Sequence, residues 1–258
     1  MKKLVVALSL VLAACVQQPT ETKTQSNPEG NAPDTDTQGR ARAFTDLAGA
    51  YFQRGQYKIA LDELRKAILA DPRFGPAYNI YGLVYMELAE DKLAEEYFRR
   101  SLELDRRDSE AHTNYGWFLC TRGRYDEGLA QFSAALQNPL YASPEQAMAN
   151  AGVCAEKKGD LALAEANLTR ALKLQPDNAQ ALIRMAGLNF RKGNLTEAQR
   201  LLTRHSEIIP ATAESLWLSL RLERKLGDRA QEAAYGLQLR KRFPDSEEAR
   251  LLRAGQYE

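Results

Sequence analysis

The chain has 258 residues, with 35 Lys plus Arg against 34 Asp plus Glu, and 44% of it is apolar. That length and apolar content suffice for one or two packed domains or one elongated array. A formal charge of +1 leaves none of the basic surplus with which a protein displaces counterions from a phosphate backbone, so nucleic acid is excluded as a general partner.

Residues 1–15 read MKKLVVALSLVLAAC. Lys2 and Lys3 precede an apolar run from Leu4 to Ala14 in which Ser9 is the single polar residue. As a helix that run reaches only ~16 Å, about half of a ~30 Å hydrocarbon core, so residues 1–14 are predicted to be a targeting signal and not a spanning helix. Leu12-Ala13-Ala14-Cys15 resembles the box at which bacterial lipoproteins are cut and acylated. The resemblance implies lipidation of Cys15, and Val16 in place of Asp implies the periplasmic face of the outer membrane. An ordinary signal peptide with a chance cysteine is the alternative. Residues 17–39 carry Pro19, Pro28, Gly30 and Pro33 and no aromatic or large aliphatic side chain. Such a stretch buries too little surface to offset its ordering entropy, so 15–39 is predicted to be a lipidated Cys and flexible tether.

From residue 41 onward the chain is periodic. Gly55, Gly123, Gly159, Gly193 and Gly227 each separate two amphipathic runs, Ala89 stands where a sixth would fall, and Pro176, Pro210 and Pro244 recur every 34 residues in phase with Pro72. Small residues recur at the eighth position (Ala48, Gly82, Gly116, Gly152, Ala186), the twentieth (Ala60, Ala94, Gly128, Ala164, Ala198) and the twenty-seventh (Ala67, Ser101, Ala135, Ala171). Small side chains let paired helices approach closely, while large ones fill the space between pairs. A 34-residue helix–turn–helix of this composition is the tetratricopeptide repeat. The predicted fold is an all-α solenoid of six repeats starting at 41, 75, 109, 145, 179 and 213. The third is lengthened by two residues around 138–144, and the sixth is degenerate, with Leu220 and Gly236 in exchanged sizes. Residues 247–258 are read as a short capping helix, to about Ala254, and a tail.

Catalytic constellations are missing from the sequence. His112 and His205 fall at packing positions, no HExxH, phosphate loop or nucleophile elbow is present, and Cys120 lies ~12 Å along one helix from His112. The expectation is a protein with no enzymatic activity, cofactor, metal site or small-molecule substrate. With Cys15 taken by lipid, Cys120 and Cys154 remain as an even pair in an oxidising compartment. They occupy positions twelve and ten of the first helices of adjacent repeats, which pack side by side. A disulfide pinning repeat three to repeat four is expected, with two buried thiols as the alternative.

The first helices should also line a groove. Asn79, Leu83 and Met86 of repeat two, Thr113, Asn114 and Trp117 of repeat three, and Asn150 and Val153 of repeat four are its candidate partner-binding residues, suited to an extended or helical peptide. The alternative is that Asn114 and Asn150 brace the backbone and that Trp117 packs within the array. At the far end Trp217, Arg221, Arg224 and Lys225 form a basic patch, read as solvated surface.

Three stretches carry a more specific resemblance: 114–128 (NYGWFLCTRGRYDEG), 140–152 (LYASPEQAMANAG) and 234–242 (AYGLQLRKR) before Phe243-Pro244. Together with the lipobox, tether and lengthened third repeat, they resemble the PilF/PilW lipoproteins of type IV pilus biogenesis. That resemblance implies a pilotin-type role, in which the groove binds the secretin or another pilus-machinery protein and promotes assembly or stability of the secretin multimer and pilus fibres. An envelope chaperone or a peptidoglycan-associated module using the same groove is the alternative.

Overall fold

The computed structural model describes residues 35–257. The signal peptide, Cys15 and the tether as far as residue 34 lie outside the described residues. The first helix, α1, spans Thr35–Gln53, so the last five residues assigned to the tether are helical. Asp36 in the first turn suits the positive end of the helix dipole, and Arg40 pairs with it one turn later at 3.6 Å.

Twelve helices follow, all α, with no strand among the described residues: α2 Tyr57–Ala70, α3 Gly75–Glu87, α4 Asp91–Leu104, α5 Ser109–Thr121, α6 Tyr125–Ala135, α7 Pro144–Lys158, α8 Leu161–Leu174, α9 Ala179–Lys192, α10 Leu195–Ile208, α11 Ala213–Leu226, α12 Arg229–Arg242 and α13 Glu247–Ala254. Each odd-numbered helix from α1 to α11 packs on the even-numbered helix that follows it. The small-residue positions explain why. Ala48, Ala60, Ala94, Ala164, Ala186 and Ala198 are fully buried. A Cβ on Gly82 would sit 2.6 Å from Phe98 Cδ1, and one on Gly152 2.6 Å from Leu168 Cγ. The large side chain of the second helix thus rests on the bare backbone of the first.

The turn inside each pair needs a left-handed residue. Glycine supplies it in five of the six pairs, as at Gly159 with φ 90°, and Ala89 with φ 59° supplies it in the second. Two of the helix starts that follow four-residue connections show how side chains cap the array. The Asp108 carboxylate accepts from the Glu110 and Ala111 amides, and the Asn178 carbonyl from the Ala181 amide.

Contacts between pairs set the architecture. Each odd helix touches the next odd helix, from α1 through to α11, and each even helix touches the odd helix after it, but no even helix brings its backbone close to another even helix. The odd helices therefore form one continuous inner row and the even helices a splayed outer row. The stack is curved, with the odd helices on its inner face. α13 packs on both α11 and α12, standing where a seventh inner helix would begin, and Ala249 seals the last apolar cluster with Leu216, Leu220 and Leu239.

Candidate functional site

The inner face is not an even trough. It holds three depressions. The first, of about 410 Å³, lies between α1 and α3 and includes Asp46, Gln53, Asn79 and Ile80 with Asp108 and Glu110 at its edge. The second, of about 590 Å³, is formed by the start of α5 and the long 136–143 connection, with Thr113, Asn114, Tyr141 and Gln146 among its walls. The third, of about 180 Å³, lies between α9 and α11 and is walled by Phe190, Arg191, Trp217, Leu218 and Arg221.

These depressions differ in charge. Asp46, Asp105, Asp108 and Glu110 face Arg107 alone in the first two. In the third, Arg184, Arg191 and Arg221 meet Glu156 and Glu214. Two ion pairs cross the inner row there, Arg191 to Glu156 at 2.6 Å and Arg184 to Glu214 at 2.8 Å, tying α7 to α9 and α9 to α11.

Of the expected groove residues, only three line a depression. Asn79 borders the first; Thr113 and Asn114 border the second. Asn114 donates from Nδ2 to Asn79 Oδ1 at 3.2 Å, so the two amides link α5 to α3. Thr113 is almost fully buried, its hydroxyl donating to the Ser109 carbonyl at 2.8 Å and pairing with the Tyr141 hydroxyl at 3.0 Å. Burial raises the pKa of that Tyr141 hydroxyl, while its bond to Thr113 works the other way.

The other five border none of the three depressions, although Leu83, Met86 and Trp117 are half-buried as Asn114 is, and Asn79 and Thr113 are themselves only 3% exposed. Leu83 and Met86 are half-buried against the cluster of Phe98, Tyr115, Phe118 and Leu119. Asn150 and Val153 are buried, at 7% and 2% exposure. Trp117 packs on the cluster that contains Cys120, Phe132, Ala151 and Cys154, with the Lys157 ammonium 5.8 Å from its ring centre. Cys120 and Cys154 are joined as a disulfide with Cα atoms 5.6 Å apart, within the range such a bond requires. His112 sits at a boundary, its ring nitrogens pairing with Gln131 Oε1 at 2.6 Å and the Arg106 carbonyl at 3.1 Å.

The basic patch is only partly open surface: Arg224 and Lys225 are exposed, Arg221 is half-buried and Trp217 is buried. After α13 ends at Gly255 with φ 67°, the chain returns to the inner face. Tyr257 stacks on Trp217 with ring centres 5.8 Å apart. Its carbonyl accepts from Arg221 Nε at 2.7 Å, and the Arg224 guanidinium lies 3.9 Å from its ring centre. Sequence reasoning missed this contact. Its signal was a stop glycine followed by a lone aromatic residue in a polar tail.

Among the described residues, no group of three or more His, Cys, Asp or Glu is placed to hold a metal, and no helix is long and apolar enough to cross a membrane. What the inner face offers is hydrogen-bonding and charged side chains along a curved row, the chemistry of peptide recognition.

Comparison with known proteins places this architecture. Tetratricopeptide-repeat profiles match residues 41–74, 75–108, 97–130, 119–166 and 155–221. The type IV pilus assembly protein PilF of Pseudomonas aeruginosa is 30% identical over 204 residues, 79% of this chain and 81% of that protein. The chain belongs to the PilF/PilW family of type IV pilus tetratricopeptide-repeat proteins. The solved structure of Pseudomonas aeruginosa PilF superposes with a TM-score of 0.78 at 29% identity, covering 85% of this chain and 99% of that one. That of PilW, described as a widely conserved type IV pilus biogenesis factor, gives 0.73 at 32% identity, covering 82% and 97%. The likeness thus extends over the repeat array and not over a single repeat.

Proposed function

We propose that this protein is a non-catalytic scaffold of type IV pilus biogenesis, held at the periplasmic face of the outer membrane by acylated Cys15. The observation that carries the reading is the similarity to PilF and PilW across about four-fifths of the chain. The inner face receives a pilus-machinery protein, the secretin or a component beside it, and so promotes assembly or stability of the secretin multimer and the fibre. A tether on a membrane-bound lipid raises the local concentration of the array near that partner without any new contact. Its contribution is binding energy, and the side chains on the inner face are those of a recognition surface.

The test is a membrane pull-down from piliated cells, paired with a Cys15→Ser variant. The scaffold reading expects the secretin or a few pilus components to be captured by the wild-type chain. It expects the variant to leave the outer-membrane fraction and to lower surface pili, with its circular dichroism unchanged. Capture of many unrelated envelope proteins would instead identify a chaperone.

A further inference from the structure

Trp217, one wall of the third depression, carries the chain's own Tyr257 stacked on it, and the manner of that contact describes a ligand. Three features define the place. Trp217 gives an indole face, 8% exposed, against which Tyr257 stacks. Arg221 and Lys225 both stand over the ring of Phe190, at 4.9 and 4.7 Å from its centre. Arg224 lies over Tyr257 and pairs with Glu232 at 2.7 Å.

The charges are unequal. Arg191 and Arg184 have carboxylate partners in Glu156 and Glu214. Among the described residues, Arg221 has only the neutral carbonyl of Tyr257 and the Phe190 ring, and Lys225 only that ring. Burial, and then the nearby Arg191 guanidinium, make the charge of Arg221 costlier than in water. Two cations beside one ring, with no described carboxylate paired to either, suit a carboxylate ligand, and a charge-assisted bond is roughly twice as strong as the one a carbonyl supplies.

We infer that the α9–α11 cleft is a binding site for an extended peptide segment carrying an aromatic side chain beside carboxylates, and that Tyr257 is an internal stand-in occupying its aromatic subsite. The partner's ring takes the Trp217 face. Its carboxylate lies between Arg221 and Lys225, and Tyr257 must leave before the partner is seated. Because the internal segment is tethered, it competes at every partner concentration and lowers the apparent affinity by the fraction of time the site is closed. This deepens the reading of the inner face as a recognition surface and rests on it, but not on any pilus component.

The test uses the purified full chain and an N-acetylated, C-amidated pentapeptide of sequence AEYEA, titrated by calorimetry at low salt. Tyr257→Ala is expected to bind it at least fivefold more tightly than wild type. Adding Arg221→Glu is expected to weaken that binding tenfold or more. The neutral peptide AQYQA should bind at least tenfold more weakly than AEYEA. Equal affinity of wild type and Tyr257→Ala, or equal affinity for the two peptides, overturns the proposal. Should Tyr257→Ala open the last repeat, as a lost circular-dichroism transition would reveal, the exposed Lys225→Glu variant decides. Weaker AEYEA binding than wild type upholds the site, and unchanged binding overturns it. A failed titration leaves the membrane pull-down result untouched, and a failed pull-down leaves the titration untouched.

Discussion

Ala89 is the only non-glycine residue among those described with positive φ, at 59°. It holds the turn between α3 and α4 that glycine holds in the other pairs, with a Cβ that opposes this backbone by roughly 1 kcal/mol. Its own side chain is exposed and forms no part of the core. Ala89→Gly is therefore expected to stabilise the protein by about 0.5–1 kcal/mol, readable as a higher midpoint in urea. Glu95 is the opposite case, a side chain on which several elements depend. Burial works against its charge. Even so, hydrogen bonds from Arg124, Tyr115 and Arg99 together hold its carboxyl below the usual carboxylate range. Arg124 grips both of its oxygens at 2.9 Å, and the Tyr115 hydroxyl donates at 2.9 Å. With the folded value depressed, the stabilisation is complete above the ordinary value of 4.5 and disappears as pH falls through the folded value. Glu95→Gln should cost on the order of 1–2 kcal/mol at pH 7. In thermal melts taken from pH 7 down to pH 3, the gap between variant and wild type should close at the acid end.

At the scale of helices, the size pattern in the sequence translates directly into packing, and the sixth repeat shows the rule by inverting it. Elsewhere a small residue on the first helix receives a large one from the second. In α11 and α12 the roles exchange, since Leu220 is 1% exposed and its Cδ1 lies 3.4 Å from where a Cβ on Gly236 would stand. Leu252 of α13 approaches the same point at 3.5 Å, so the exchange also provides the seat for the last helix. The bond between Cys120 and Cys154 joins α5 to α7 across the longest connection in the array, residues 136–143. Closing 34 residues constrains the unfolded chain by an amount worth about 2–4 kcal/mol. A Cys120→Ser, Cys154→Ser double variant should melt several degrees lower than wild type, and reductant should lower only the wild-type transition. The helices and their pairing were thus legible from residue sizes alone. The exposed part of the inner face was not, because periodicity does not state how tightly successive inner helices pack. That depth decides that Val153 and Asn150 are buried while Asn114 is reachable. Nor does a polar tail announce where its one aromatic ring will return.

For the molecule as a whole, stability is a chain of neighbouring interfaces, because each pair touches only the pairs beside it. A defect in the middle should therefore divide the array. Gly152→Val places branched carbon into the space held by Leu168 Cγ at 2.6 Å, and overpacking of this kind costs about 1–3 kcal/mol. The expected result is a urea transition that splits into two steps by circular dichroism, where the wild-type curve has one. A single step with an unchanged midpoint would mean that the fourth repeat yields without disturbing its neighbours. The same nearest-neighbour order explains why the family likeness reaches from end to end: the inner surface exists only as a product of the full stack.

The wide separation of the even helices has a mechanical consequence. No seam joins one even helix to the next, but each even helix is packed on the odd helix after it, so the array should bend about its inner row with the strain falling on those even-to-odd seams. Its mouth can widen or tighten around guests of different girth while the sides that grip them stay in register, and the α5–α7 staple keeps the middle pairs from slipping.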